Sequence, residues 1–515
     1  MLSKIKSMSL DGLNGYLVEI QSDVAGGLPN FEIVGLPDIR VKEAKERVRT
    51  AIKNSNIDFP SRKIIVNLAP ADKRKEGTHL DLPISIGILI AMGEIRKIKI
   101  ENFESTIFLG ELSLDGSINW VKGILPMCIE AKNLGIKRVI LPTENVMEAS
   151  IVKDLDIIPV SNLLDVIKYL KGEKEIERHI KQNLNLENLD SYNIDFSEVK
   201  GQENAKRALE IAAAGSHNCL LIGPPGAGKS LLAERIVTIM PDLTFKESLE
   251  ITKIHSISGE RENINGLINK RPFRRPNHTS SEISIVGGGR NPKPGEISLA
   301  HLGVLFLDEL PEFKKSTLEV LRGPLEDRCV TISRANSAVT YPANFMLIAS
   351  MNPCRCGYYG TDNNRCRCSE ISINNYLGKV SGPLLDRIDL QIEVKPVEYR
   401  KISSKEESET SSIIKERVNN ARKIQNERYK NLKVYSNSEL SPKLIEKYCK
   451  IDDDSKELLQ KAFEKFGLSG RAYSRILKVS RTIADLEGEE NIRKNHMAEA
   501  IQYRVINKKY WRRKY

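Results

Sequence analysis

Apolar residues recur along this 515-residue chain with two periods, and the switches between them mark its elements. Gly15-Tyr-Leu-Val-Glu-Ile20, Lys63-Ile-Ile-Val-Asn-Leu68, Ser105-Thr-Ile-Phe-Leu109 and Arg138-Val-Ile-Leu141 predict strands. Ile39 to Asn54 repeats at helical spacing with charges along one face. Leu82 to Met92 is apolar all round, which predicts a buried helix, and Leu125–Leu134 predicts another. Strands alternating with helices make residues 1–172 an α/β domain. Residues 173–195 are charged and Asn-rich with few apolar positions, which predicts a linker.

A second α/β pattern fills residues 196–400. It opens with the Ala-rich helix Ala205–Ala214 and places buried strands at Cys219-Leu-Leu-Ile222, Gly303-Val-Leu-Phe-Leu307 and Asn344-Phe-Met-Leu-Ile-Ala-Ser350. Helical periodicity then takes over at Lys401–Asn431, Ser441–Lys450, Ser455–Phe466, Arg471–Asp485 and Met497–Val505. Residues 401–515 therefore read as a helical lid following an α/β core.

Composition narrows the class. Apolar content of 40% and charged content of 29% are those of a soluble globular protein. The net charge of +11 favours an anionic partner, nucleic acid first. The first ten residues lack the apolar core of a signal peptide, and the apolar run at Leu82–Met92 is too short to span a bilayer. A cytoplasmic location is expected, with the eight cysteines serving as free thiols or metal ligands rather than disulfides.

The chemistry centres on Gly223-Pro224-Pro225-Gly226-Ala227-Gly228-Lys229-Ser230, which fits the phosphate-binding P-loop pattern between a buried strand and a helix. The glycines let the backbone wrap a phosphate, and the helix N-terminus offers free N–H groups. Lys229 is expected to reach the β- and γ-phosphates of ATP, and the Ser230 hydroxyl to ligate Mg2+. The Walker B strand ends at Asp308-Glu309, the first to hold magnesium and the second to orient the attacking water. Cys354-Arg-Cys356 and Cys366-Arg-Cys368 place four thiols within fifteen residues. Structural Zn2+, reduced metal-free thiols and a redox switch remain open for them.

Several segments resemble one family. Phe31-Glu-Ile-Val-Gly-Leu-Pro-Asp38, Val41-Lys-Glu-Ala-Lys-Glu-Arg-Val48, Val66-Asn-Leu-Ala-Pro-Ala-Asp72 and Leu109-Gly-Glu-Leu-Ser-Leu-Asp-Gly116 look like the N-terminal domain of the ComM/YifB family of magnesium chelatase-like AAA+ ATPases. That domain resembles the Lon protease C-terminal domain. Lys75-Glu-Gly-Thr-His-Leu-Asp81 matches the Lon segment that carries the dyad serine, but puts His79 at that position, and Leu125 falls where the lysine belongs. A Ser–Lys dyad needs a hydroxyl beside an amine, so the domain is read as non-proteolytic, with Ser85 and Thr78 as the substitutes to check.

The resemblance implies further roles. Asn352 matches sensor 1, and Gly382-Pro-Leu-Leu-Asp-Arg-Ile-Asp389 looks like the arginine-finger segment, in which Arg387 would act in a neighbouring subunit. An ion pair of Arg387 with Asp386 or Asp389 is the competing assignment. Leu468-Ser-Gly-Arg-Ala-Tyr-Ser-Arg475 resembles the sensor-2 helix, with Arg471 as the nucleotide contact and Arg475 as its fallback. Arg271-Pro-Phe-Arg-Arg-Pro-Asn-His278 and Ile285–Glu296 resemble the helix-2 insert, though Asn277 replaces a family histidine. Leu325–Tyr341 resembles the pre-sensor-1 hairpin. Arg290, Lys293, Arg328 and Arg334 are the candidates for DNA phosphates, with ordinary surface charge as the alternative. The basic, aromatic end Asn507–Tyr515 suits single-stranded nucleic acid or a frayed tail.

The family implies a hexameric ring that translocates on single-stranded or branched DNA, promoting branch migration in recombination or natural transformation. The core also resembles the magnesium-chelatase ATPase subunit, which implies an ATP-driven protein remodeller instead. A Lon-like peptidase or protease regulator is the third reading.

Overall fold

The computed structural model describes residues 2–179, 192–260, 266–289, 292–334, 337–360, 365–397, 408–432 and 434–511. The chain divides into two compact units. The first takes residues 1–188 together with 245–269, and the second takes 189–244 and 270–515.

The first unit is built on a seven-stranded mixed sheet. Its spatial order is Asn30–Val34, Lys63–Ala69, Asn14–Ala25, Leu2–Asp11, Thr106–Phe108, Arg138–Pro142, Asp156–Val160. Successive side chains of a strand face opposite sides, and here both sides are covered. Phe108, Ile140 and Ile158 enter one core cluster, and their neighbours Ile107, Val139 and Ile157 enter another. This is why these strands read as continuous apolar runs. Helices Ile39–Asn54 and Asp81–Met92 contribute to the first cluster, and Ile124–Asn133 to the second. Asp38 caps the first helix, its Oδ1 accepting from Val41 N at 2.8 Å, a contact that stabilises a helix start by about 1 kcal/mol.

The segment 245–269, counted with the ATPase core by periodicity, packs within this first unit. Its helix Phe245–Ser258 is held by the buried carboxylate of Glu148, which accepts from Ser256 Oγ and from Leu125 N at 2.9 Å. Gly123 N donates to Ser256 O at 3.0 Å. Burial pushes the Glu148 carboxyl above the usual carboxylate range, against those donors.

The second unit carries a parallel five-stranded sheet in the order Phe273–Arg274, Val304–Leu307, Met346–Met351, Cys219–Ile222, Leu390–Glu393. The strand that comes first within this sheet is thus interior, fourth of the five, and the order reverses beside it, which is where ligands bind in such sheets. Cys219, Leu221, Val304 and Phe306 face a core shared with helices Glu203–Gly215 and Lys229–Ile239. The lid helices Ser411–Arg428, Gly470–Leu486 and Lys494–Tyr510 bury Ile414, Val418, Ile476, Ile483 and Met497 in that same core. Leu220, Ile222, Leu305 and Leu307 face the opposite core, which includes Cys354. No helix among the described residues is long and apolar enough to cross a membrane.

Candidate active site

The interior strand Cys219–Ile222 ends at Gly223, and the helix Lys229–Ile239 starts six residues later. Gly228 precedes that helix at φ +86°, a left-handed backbone that disfavours a side chain. Gly223 lies against the fifth strand, where a Cβ would come within 2.2 Å of Val394 O. Lys229 Nζ folds back over the loop, donating to Gly223 O and Pro224 O at 2.8 Å each and to Asn352 Oδ1 at 3.0 Å. Burial pushes its ammonium down to about 8, although Asp308 and Glu309 pull the other way. The loop is tied from behind by Gln202, whose Nε2 donates to Ala227 O at 3.1 Å and Lys395 O at 2.6 Å.

Two further strands of the sheet end at the same place. Ser230 Oγ donates to Asp308 Oδ2 at 3.0 Å, and Ser350 Oγ donates to Asp308 Oδ1. Burial would raise the Asp308 carboxyl, but these hydroxyls and Arg275 outweigh it and hold it below the usual range. Glu309 is exposed and adopts φ 54°, a conformation uncommon outside glycine that costs of order 1 kcal/mol and turns the residue away from the strand path. An ammonium, a helix N-terminus, a hydroxyl and an ionised carboxylate thus converge, a donor set that fits a nucleoside triphosphate with its divalent cation. Gly223 to Ser230, Asp308, Glu309 and Asn352 are all brought together.

Three members of this site escaped the sequence reading. Arg275 Nη2 reaches Asp308 Oδ2 at 2.5 Å, its Nη1 reaches Glu234 at 2.7 Å, and its guanidinium lies 5.3 Å from the Phe306 ring centroid. Ser350 and Gln202 are the others. Arg275 lies within Arg271–His278, but nothing in its spacing singles it out from Arg274, which pairs instead with Glu296.

The other proposed arginines lie elsewhere. Arg387 is only 6% exposed, and its Nη2 pairs with Glu326 at 2.7 Å rather than with Asp386 or Asp389. Asp389 is taken by Arg475, and it also accepts from Asn218 N at 3.0 Å. Burial alone would raise Asp389, but Arg475 and His217 hold it well below the usual carboxylate range. This anchor sits at the N-terminal edge of the sheet. The P-loop lies beyond the C-terminal end of Cys219–Ile222, roughly 13 Å further along at about 3.3 Å per residue. The fallback sensor residue Arg475 is therefore a brace between lid and sheet. Arg471 is exposed one turn earlier and has no ion-pair partner among the described residues.

Of the DNA candidates, Arg290 and the Arg334 side chain lie outside the described residues. Lys293 is exposed. Arg328 is not available: it pairs with Glu439 and donates to Asn344 Oδ1 at 3.1 Å, which fixes the foot of the hairpin Cys329–Arg334/Ser337–Pro342. The chain end is also not frayed up to Trp511. Tyr510 is buried, Lys509 pairs with Glu393 at 2.6 Å, and Trp511 Nε1 donates to Leu377 O at 3.1 Å.

In the first unit, His79 and Leu125 are buried, and burial pushes the His79 imidazole down to about 4. Thr78 Oγ1 donates to the Glu111 carboxylate and Ser85 Oγ to Leu82 O, so neither hydroxyl has an amine partner. The four sulfurs of Cys354, Cys356, Cys366 and Cys368 lie within 4.8 Å of one another.

Family models described as "Magnesium chelatase, subunit ChlI", "Subunit ChlI of Mg-chelatase" and "Magnesium chelatase, subunit ChlI C-terminal" match residues 195–402, 20–145 and 408–504. Competence protein ComM of Haemophilus influenzae is 44% identical over 513 residues, 98% of each chain. The chain belongs to the ComM/YifB family of magnesium chelatase-like proteins. YifB of Salmonella typhimurium, a second member, is 42% identical over 96% of each chain. The magnesium-chelatase 67 kDa subunit of Chlorobaculum parvum is 27% identical over 212 residues, 40% of this chain and 28% of that one. The ComM/YifB members thus share both units, whereas that chelatase likeness is partial.

Proposed function

We propose that this protein is an ATPase that assembles as a ring and couples hydrolysis to movement on DNA, in recombination or in competence, the role that the name of its relative ComM prints. The observation that carries the ATPase reading is the convergence of Lys229, Ser230, Asp308, Glu309 and Asn352 on one loop. Bound ATP and Mg2+ supply the phosphoanhydride and its charge neutralisation. Lys229 and the helix N-terminus hold the phosphates, Ser230 and Asp308 hold the cation, Glu309 orients water and Asn352 positions Lys229.

The ring reading rests on the arginines. Arg387 is engaged with Glu326 and the lid helix is anchored by Asp389 at the far edge of the sheet, so the same chain brings neither Arg387 nor Arg475 to its own phosphates. Arg387 of a neighbouring copy, once released from Glu326, would supply the transition-state cation. The DNA reading is supported by basic charge and by two insertions that pack on each other: Tyr341 Oη donates to Pro292 O at 2.9 Å, and Gly287 sits against Ile332. Lys293 stands exposed beside them, and phosphate contacts need only such charge.

The test is ATP hydrolysis with and without single-stranded and forked DNA, with Glu309→Gln as control. Stimulation by DNA that vanishes in the variant supports the motor. Hydrolysis indifferent to every DNA overturns it and favours a protein remodeller, the reading closer to the chelatase relatives.

A further inference from the structure

The first cysteine pair runs straight into a turn that meets the nucleotide loop. Cys354 follows Asn352 by two residues and is buried, and the other three are half-buried. Cys354 Sγ lies 3.3 Å from Cys356 and 3.7 Å from Cys366, and Cys356 and Cys366 are 3.6 Å apart. Disulfide sulfurs would be about 2.05 Å apart. Four sulfurs at about 2.3 Å from a tetrahedral zinc ion are about 3.8 Å from one another, close to the spacing here.

The turn between the two pairs is directed inward. Gly357 has φ +86°, and a Cβ there would come within 2.4 Å of Pro225 Cδ, inside the P-loop. On the other side Tyr359 meets Tyr510 edge-on at 6.3 Å, and Gly360 lies under Lys509 and Tyr510. Residues 365–369 belong to no helix or strand, so the backbone ladder does little to hold this knob.

We propose that Cys354, Cys356, Cys366 and Cys368 bind one zinc ion, and that the metal-closed knob braces the P-loop through the contact of Gly357 with Pro225. Loss of the metal frees that turn and loosens the loop that grips the phosphates, while the sheet and both cores stay intact. This rests on the P-loop being the nucleotide site.

The experiment uses the full chain in a Cys329→Ser background, since Cys329 is the remaining cysteine that is not buried. Metal content is measured by elemental mass spectrometry, and binding of a fluorescent ATP analogue with Mg2+ is measured before and after zinc release by an organomercurial. Zinc at one per chain is expected, with at least tenfold weaker nucleotide binding after release and little change in circular dichroism. Gly357→Ala should keep its zinc yet bind nucleotide several-fold more weakly, which separates the brace from the metal. The pair Cys366→Ser/Cys368→Ser should lose both properties; if it does not fold, release from the folded protein still decides. A chain that neither retains nor takes up zinc overturns the proposal, as does zinc loss with unchanged nucleotide affinity. Zinc-loaded protein that binds no nucleotide overturns the P-loop reading itself, and the metal measurement tells the two failures apart.

Discussion

Replacing Arg275 with alanine should lower the magnesium concentration needed for half-maximal ATP hydrolysis. Asp308 Oδ2 is shared between the Ser230 hydroxyl at 3.0 Å and the Arg275 guanidinium at 2.5 Å. A hard divalent cation takes its ligands from such carboxylate oxygens, so the guanidinium competes with it directly. Two unit charges 4 Å apart are worth about 4 kcal/mol at an effective dielectric of 20, but that is not the net cost of parting them. The Arg275 and Asp308 side chains are 45% and 24% exposed, so water screens the pair. Arg275 also keeps Glu234 at 2.7 Å and the Phe306 ring when it leaves Asp308. The net competition is then about 0.5–1 kcal/mol, or roughly a two- to fivefold shift in half-saturating magnesium. The assay is steady-state hydrolysis at fixed ATP with magnesium titrated, alongside Arg275→Lys, which should shift less. An unchanged half-saturation refutes the competition. A raised one would mean that Arg275 holds phosphate in the loaded state.

Lys229 should make nucleotide binding pH-dependent. Its charged form grips phosphate, so affinity should be full below about 8 and fall as pH rises through that value, by up to tenfold per unit, flattening in Lys229→Ala. A flat wild-type profile to roughly pH 9.5, near the ordinary lysine range, would count against it. Asp389→Asn removes one side of a buried pair and should cost the second unit about 3–5 kcal/mol, read as an earlier denaturant midpoint. Because the folded Asp389 carboxyl titrates well below its unfolded value, the wild-type contribution is present above the ordinary carboxylate range and lost only as pH falls through the depressed folded value. An unchanged midpoint at neutral pH would refute the brace. Mixing inactive Arg387→Ala with inactive Glu309→Gln should restore hydrolysis, to about a quarter of wild type by random pairing in a ring; no recovery would argue against a shared site.

Much of this protein could be read from local pattern. The helix Ile39–Asn54 and the strand Cys219–Ile222 lie where the periodicity puts them, because their apolar positions repeat at the period of the backbone that buries them. The strand Leu2–Asp11 is not legible in its short run of mixed Ser, Lys and apolar residues, although Ile5 and Met8 enter opposite cores as a strand allows. The P-loop was legible because its chemistry is carried by consecutive residues. Arg275 and Ser350 were not, since their shared partner Asp308 is 33 and 42 residues away. The segment 245–269 looked like part of the core because nothing local reveals that Ser256 meets Glu148, 108 residues earlier.

Sequence alone determined the two α/β patterns, the helical end, the family, and the P-loop motif from which a phosphate and magnesium site is proposed, because spacing along one chain segment dictates which side chains share a face or a loop. Tertiary structure alone decided which arginine is free and which is fastened. Arg275 lies on Asp308, Arg328 on Glu439, Arg387 on Glu326 and Arg475 on Asp389. A long cationic side chain has no preferred partner in one dimension, and the carboxylate that claims it is chosen by the packing of distant elements.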